Sequence, residues 1–250
     1  MSVRLTRIYT RTGDDGTSGL ADFSRVSKTD PRLVAYADCD ETNATLGMAM
    51  ALSALPFPIA AVILRVQNEL FDVGADLATP VVDDPPYPPL RVTQDYIDRL
   101  EADCDAFNAE LPALTSFILP GGTPSGALLH LARTVARRAE RSAWALRTVD
   151  PDGSNPLAAT YLNRLSDLLF ILARAANPAG DVLWQPGGER ADKPDRTGSE
   201  PDESTDEGNT DQPGTGQPGT DRQGTDRLGT DRQGTDRQGT EQQGTEEPKG

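Results

Sequence analysis

Residues 128–147 read LLHLARTVARRAERSAWALR. The run predicts a helix over about Ser125 to Thr148, and it concentrates charge of one sign. Five arginines lie in it, at 133, 137, 138, 141 and 147. At 100° per residue, Arg133, Arg137, Glu140, Arg141 and Trp144 fall on one face. Leu131, Val135, Arg138 and Ala139 fall on the other, so the split between apolar and polar sides is incomplete. A solvated helix usually alternates charge sign, whereas here a single acid faces several guanidiniums. Guanidinium forks suit carboxylates and phosphate oxygens equally. The helix alone therefore leaves two readings open, a salt-bridge network to other helices or an anion site.

The next helix, predicted over about Asn155 to Ala176, carries a second polar stripe. Asn163, Asp167, Phe170 and Arg174 recur at i, i+4, i+7 and i+11, opposite Leu165, Leu168, Leu169 and Leu172. Polar groups so placed must be paired or must bind a ligand. Outward from these two segments, three more helices are predicted. One follows Asp30-Pro31 and stops before Pro56; the others cover about Ile59 to Leu77 and the stretch after Thr93, which stands where a cap belongs. The first 30 residues read as loop, with a short extended piece at Leu5 to Tyr9. The proline-rich TPVVDDPPYPPLRV and the irregular LPALTSFILPGGTPSG connect helices. The fold class is all-α, a five-helix up-and-down (ferritin-like) bundle with a disordered C-terminal tail.

Composition divides the 250 residues in two. Residues 1–185 hold 16 Lys+Arg and 23 Asp+Glu, a net of −7, and form the expected bundle domain. Residues 186–250 hold 8 and 16, a net of −8, with almost nothing apolar. That tail cannot offset the entropy of ordering. In it Gly-Thr recurs every five residues from Gly214 to Thr245, typically as GTDRQ, a period that fits neither helix nor strand. The acidic balance argues against nucleic-acid or membrane surfaces. No apolar run approaches the ~20 residues that span a bilayer, and no secretory leader is evident. Cys39 and Cys104, without CxxC spacing, are expected to be free thiols in a reducing cytoplasm.

At the front stands YTRTGDDGTSGL, residues 9–20. Threonine hydroxyls and glycine N–H groups can cradle phosphate oxygens. The carboxylate of Asp14 or Asp15 would then hold Mg²⁺ or a cation's second shell. Lys28 can reach back as a point charge. The spacing is not that of a Walker loop.

Five ordered blocks, YTRTGDDGTSGL, AYADCDETNATLG, FILPGG, HLARTVARRAER and YLNRLSDLLFILAR, span residues 8–176. Together they resemble the PduO-type ATP:cob(I)alamin adenosyltransferases. The resemblance implies a homotrimer with ATP between neighbouring subunits. It implies transfer of the 5′-deoxyadenosyl group of ATP to the cobalt of cob(I)alamin, with triphosphate released. It assigns Thr10, Arg11, Thr12, Gly13, Ser18 and Lys28 to the nucleotide loop. Arg137, Arg138, Glu140, Arg141 and Asn163 form the other side, with Arg137 on the triphosphate and Glu140 toward the nucleotide or its metal. Asp40 would pair with Arg133 at the subunit interface, and Phe117 would displace the lower axial ligand of cobalamin. Glu140 or Asp14 is the implied Mg²⁺ ligand. An adenosylcobalamin-dependent mutase and a cobalamin reductase are the implied partners. Where the family has Gly-Asp-Val-Asp-Glu-Leu-Asn this chain has Ala37-Asp38-Cys39-Asp40-Glu41-Thr42-Asn43, and the repeat tail lies outside the pattern.

The chemistry agrees with the residue inventory. Cobalt(I) is itself the nucleophile, so no serine, cysteine or histidine is needed to attack C5′. The protein must align the reactants and neutralise the departing triphosphate. The single histidine, His130, reads as a structural hydrogen-bonding group, and Trp144 and Phe170 as core or interface. The alternative reading is a noncatalytic, ATP-responsive carrier that delivers adenosylcobalamin to a mutase.

Overall fold

Three of the helices begin with the same device. Asp30, Thr123 and Asn155 occupy N-cap positions, and each is followed by proline, whose fixed φ suits the first turn. Their side chains accept from the backbone N–H of Arg32 (2.8 Å), Gly126 (3.0 Å) and Leu157 (3.0 Å). The computed structural model, which describes residues 9–187, places helices α1 at Pro31–Leu52, α2 at Phe57–Leu77, α3 at Gln94–Asn108, α4 at Pro124–Val149 and α5 at Pro156–Ala175. Residues 5–8 of the expected extended piece and the tail from 188 onward lie outside the described residues. Thr93 does stand at the N-cap of α3, but its side chain makes no capping bond.

The expected loop before α1 contains a small hairpin. Strand β1 (Thr17–Gly19) pairs antiparallel with β2 (Arg25–Ser27), with Ser18 opposite Val26. Ala21 N–H donates to the carbonyl of Ala78 (3.2 Å), which ties the hairpin to the end of α2.

Cross-helix bonds fix the direction of every helix. On α1, Arg32 meets Asp150 beyond the end of α4, whereas Asp38 meets Ser142 and Glu41 meets Arg138. The two helices are therefore antiparallel. Asn43 on α1 meets Gln67 on α2, and Arg32 meets the carbonyl of Leu77, which makes that pair antiparallel too. On α3, Tyr96 and Arg99 bond Asp72 and Glu69 of α2. Glu140 of α4 faces Asn163 of α5, while Thr123 faces Ala176. Alternation runs through all five helices, as an up-and-down bundle requires. Helix α4 packs on α1 and α5, α2 on α1, and α3 on α5.

The packed face of α4 is narrow. Leu129, Ala132, Ala136, Ala139, Ala143 and Leu146 are buried, against Leu162, Leu165, Leu169 and Leu172 of α5 and Ala35, Cys39 and Leu46 of α1. Cys39 and Cys104 are free, as expected. Burial, with help from Asp38 and Asp40, pushes the Cys39 thiol up to about 12. Among the described residues no helix is long and apolar enough to cross a membrane.

Two buried polar nodes lock the end of the bundle. Arg32 donates to the carbonyls of Leu77 (2.8 Å) and Gly153 (2.8 Å) and to Asp150 (2.5 Å). Asp76, 1% exposed, accepts from Val92 N–H (2.7 Å), Asn155 (2.6 Å) and Arg91 (2.6 Å). Asp76 thus joins α2, the start of α3 and the cap of α5 at one carboxylate. Replacing it leaves the buried Val92 N–H without an acceptor and Arg91 without its carboxylate, and it cuts Asn155 back to the Val92 carbonyl. Asp76→Ala is expected to lower stability by about 3–5 kcal/mol, read as a lower urea midpoint with an unchanged slope.

Candidate functional site

The glycine-rich loop is braced from within. Asp15 accepts from Thr17 N–H (3.0 Å) and the Thr17 hydroxyl (2.7 Å). Those bonds, seconded by Arg25 at 3.6 Å, hold its carboxyl below the usual range. Arg25 also donates to Thr17 Oγ1 (3.0 Å) and to the carbonyl of Thr12. Gly16 adopts φ +81°, a conformation side chains disfavour. The Lys28 N–H closes the turn onto the Gly16 carbonyl (2.9 Å). The Lys28 ammonium lies over Gly13: a Cβ there would sit 3.1 Å from Nζ and 3.0 Å from the Thr17 carbonyl. Thr10 and Thr12 share a hydroxyl contact of 2.9 Å, and Arg11 lies over the Tyr9 ring. Ser18 is half-buried in β1, and Asp14 is exposed.

On α4, the predicted arginine face separates into two directions. Arg138 turns to α1, where it binds Glu41 and Asp38 (3.4 Å). The Glu41 bond raises its pKa most. Glu140 accepts from Asn163 (2.9 Å), and Arg141 bonds the carbonyl of Arg137 (3.0 Å). Arg133 and Arg137 differ from these. Neither pairs with a carboxylate among the described residues, and Arg133 Nε is buried without a partner. Asp40 is exposed on α1 and is not joined to Arg133 among the described residues; Asp38, about 200° around the helix from it, and Glu41 are the α1 acids that meet α4.

Arg133 and Arg137 rim a cavity of about 870 Å³. Its floor is apolar: Phe117, Ile118 and Pro120 from the loop before α4, Phe170 from α5, and Trp184. Asp167, Ser166 and His130 complete it. Asp167 pairs with Arg164 (2.9 Å), whereas Arg174, from the same sequence stripe, is turned into a buried pair with Asp181 (2.8 Å). Phe117 is 80% exposed and meets Trp184 edge-on at 6.1 Å.

Trp184 escaped the sequence reading. The segment after α5 returns and pairs with the Phe117 loop. Trp184 N–H donates to the Phe117 carbonyl (2.7 Å), and Leu119 N–H to the Val182 carbonyl (2.7 Å). The apolar run Val182-Leu183-Trp184, beside the polar tail, was the available signal. His130 also departs from expectation. It is 2% exposed, yet neither ring nitrogen has a hydrogen-bond partner among the described residues. Its ring stands edge-on to Phe170 at 6.1 Å. Burial, then Arg133, lowers its pKa, which favours the neutral imidazole. Among the described residues no group of three acidic, histidine or cysteine side chains could hold a metal. The glycine-rich loop from Thr10 to Ser18 and α4 are joined by no hydrogen bond or ion pair among the described residues.

The chain matches the family model described as cobalamin adenosyltransferase over residues 8–176. A corrinoid adenosyltransferase of Mycobacterium tuberculosis is 67% identical over 190 residues, covering 76% of this chain and 98% of that protein. A variant PduO-type ATP:corrinoid adenosyltransferase from Lactobacillus reuteri, solved in complex with cobalamin and ATP, superposes with TM-score 0.66 at 34% identity, covering 72% of this chain and 100% of the other. A second variant of that enzyme, complexed with ATP, gives TM-score 0.65 at 34% identity over 71% and 100% of the two chains.

The Phe117 loop is anchored through Asn177, which receives Thr123 N–H (2.8 Å) and donates to the Gly121 carbonyl (3.1 Å). A Cβ on Gly122, where φ is +99°, would lie 2.4 Å from Asn177, whereas one on Gly121 meets nothing within 4 Å. Gly122→Ala is therefore expected to lose about 1–3 kcal/mol of stability, and Gly121→Ala to stay within about 0.5 kcal/mol of the parent. Thermal denaturation of the two variants checks the contrast.

Proposed function

The chain belongs to the cobalamin adenosyltransferase family, and from that membership and the site's geometry we infer its reaction and the work of its residues. It is a corrinoid adenosyltransferase, moving the 5′-deoxyadenosyl group of ATP onto cob(I)alamin. The cobalt(I) electron pair attacks C5′, a cobalt–carbon bond forms, the C5′–O bond breaks, and triphosphate leaves with that bond's electrons. One observation carries the site assignment: Arg133 and Arg137, unpaired by any acid of the described residues, rim an apolar cavity that contains Phe117.

In this reading the cavity takes the corrin. Phe117 closes the lower face of cobalt against water and other ligands, which makes the metal easier to reduce. Arg137 receives the charge that grows on the leaving triphosphate, where fixed donors contribute most. The loop from Thr10 to Ser18, with Lys28 over Gly13, takes the polyphosphate. Thr10, Arg11, Thr12 and Gly13 present hydroxyl, guanidinium and backbone groups there. Asn163 holds Glu140 toward the nucleotide, and Arg141 continues the cationic side. Arg138, engaged with α1, acts by holding the helix that carries Arg137.

The two walls belong to one site only across a subunit boundary. No bond joins the loop to α4 within the described residues, and Arg133 Nε lacks a partner while Asp40 is exposed. A homotrimer in which Asp40 meets Arg133 of a neighbour and ATP lies between the two chains accounts for both. Magnesium fits this arrangement, because it is commonly held by one or two carboxylates together with substrate phosphates. Asp14, exposed on the loop, and Glu140 are its ligands in this proposal; the ion would offset phosphate charge. Cob(I)alamin must come from a reductase, and the product suits an adenosylcobalamin-dependent mutase. We place the enzyme in the cytoplasm, with residues 1–185 as its working domain.

With ATP and chemically reduced cobalamin, absorbance should convert to the adenosylated spectrum. Arg137→Ala is expected to slow conversion by on the order of 10²–10³. Normal turnover of that variant would overturn the assignment. A chain ending at Gly188 should convert at the parent rate, which checks that the tail is not needed. By native mass measurement, the parent should be trimeric, and Asp40→Ala should shift mass toward the monomer.

A further inference from the structure

His130 lines the cavity, and the reaction leaves it without a task. It lies one turn before Arg133 on α4 and continues the same stripe. Its side chain is buried, lines the cavity, and offers two nitrogens that no described residue hydrogen-bonds. Buried polar atoms of native proteins are almost always satisfied, so these point to an occupant. Arg133 lines the same wall, and its guanidinium carries more N–H donors than the proposed contact with a neighbour's Asp40 would use.

The occupant must match what the wall presents. A neutral imidazole supplies one N–H donor and one acceptor nitrogen. The guanidinium adds a donor. An anion would use only the donors. A primary carboxamide uses all of them, its oxygen accepting and its NH₂ donating. The rim of the corrin macrocycle carries such carboxamides, and the apolar floor of Phe117 and Phe170 suits the ring itself.

We propose that His130, with Arg133 beside it, is a binding residue for a rim carboxamide of the corrin, and that it selects amide-bearing corrinoids. This rests on the corrin occupying the Phe117 cavity. Burial next to Arg133 keeps the imidazole uncharged, which preserves its acceptor. The nearest competing partner is Asp181, whose Oδ1 is also buried and unengaged. An internal bond to it is the structural alternative.

The test compares the full-length parent with His130→Phe, which keeps ring and volume, and His130→Gln, which restores a donor and an acceptor. The readouts are KM for cob(I)alamin and for ATP, visible-spectrum titration of cob(II)alamin binding with ATP present, and melting temperature. A corrinoid whose rim amides are methyl esters serves as the comparison substrate. The expected result is a rise of about tenfold in KM for cob(I)alamin in His130→Phe, as for loss of a buried hydrogen bond. KM for ATP should be unchanged, His130→Gln should recover most of the loss, and the parent's preference for amide over ester should shrink in His130→Phe. Unchanged cobalamin binding in His130→Phe overturns the proposal. So does a fall in melting temperature with both KM values rising together, which assigns His130 to an internal bond. Phe117→Ala separates the levels. If it alters cobalamin binding while His130→Phe does not, only this inference falls. If neither responds, the cavity is not the corrin site and both readings fall.

Discussion

The structure depends on how closely α1 and α5 approach α4. Ala132, Ala136, Ala139 and Ala143 form the contact and are almost wholly buried. Alanine lets helix axes come near the short end of the 8–10 Å range. The residues that follow those alanines are Arg133, Arg137, Glu140 and Trp144. Each is displaced by 100°, so a tight seam places the functional stripe at its edge. Helix α5 repeats the arrangement: Asn163, Phe170 and Arg174 follow buried Leu162, Leu169 and Ala173. In antiparallel right-handed helices, the residue after each seam position turns toward the same side of the interface. The Glu140–Asn163 bond is the direct sign of that convergence. A bulkier seam would separate the stripes and widen the cavity between them.

Charge is sorted along the same lines. The first 185 residues carry more acids than bases, yet the rim of the cavity is cationic. Glu69 is engaged by Arg65 and Arg99, Asp76 by Arg91, Asp150 by Arg32 and Asp181 by Arg174. These acids hold helices together and are unavailable to the site. Arg133, Arg137 and Lys28 form no ion pair among the described residues. Guanidiniums held on a rigid helix need little reorganisation when anionic charge develops before them. Pairing them internally would remove that advantage.

Much of this was legible from residue order. Each X-Pro start marked a helix within a residue or two, because capping and the fixed φ of proline are local effects. The arginine and asparagine stripes followed from helical period. What period cannot specify is which neighbour a side chain meets. Arg138 and Arg137 are adjacent in sequence, but the packing of α1 claims the first and leaves the second. The Trp184 segment was hidden for the same reason: its partner loop lies far earlier in the chain (Ser116 to Trp184 spans 68), and two backbone bonds leave no periodic trace. His130 looked structural because a buried histidine normally has partners. Its lack of them is visible only once the surrounding elements are placed.

The acid-rich loop at the front presents the opposite problem, since carboxylates repel a polyphosphate. The geometry removes the conflict. Asp15 spends its hydrogen-bonding capacity on Thr17 and faces Arg25, so its negative charge is used to shape the turn. Lys28 then lies over Gly13, the position where the backbone comes closest to it. Any side chain at residue 13 would have to displace either the ammonium or the Thr17 carbonyl of the hairpin. Glycine at 13 thus suits the approach of a cation, and Asp15 braces the turn that brings the cation there. A loop built this way holds one positive charge at its tip, and in the proposed site the arginines of a second surface would complete the enclosure of a triphosphate.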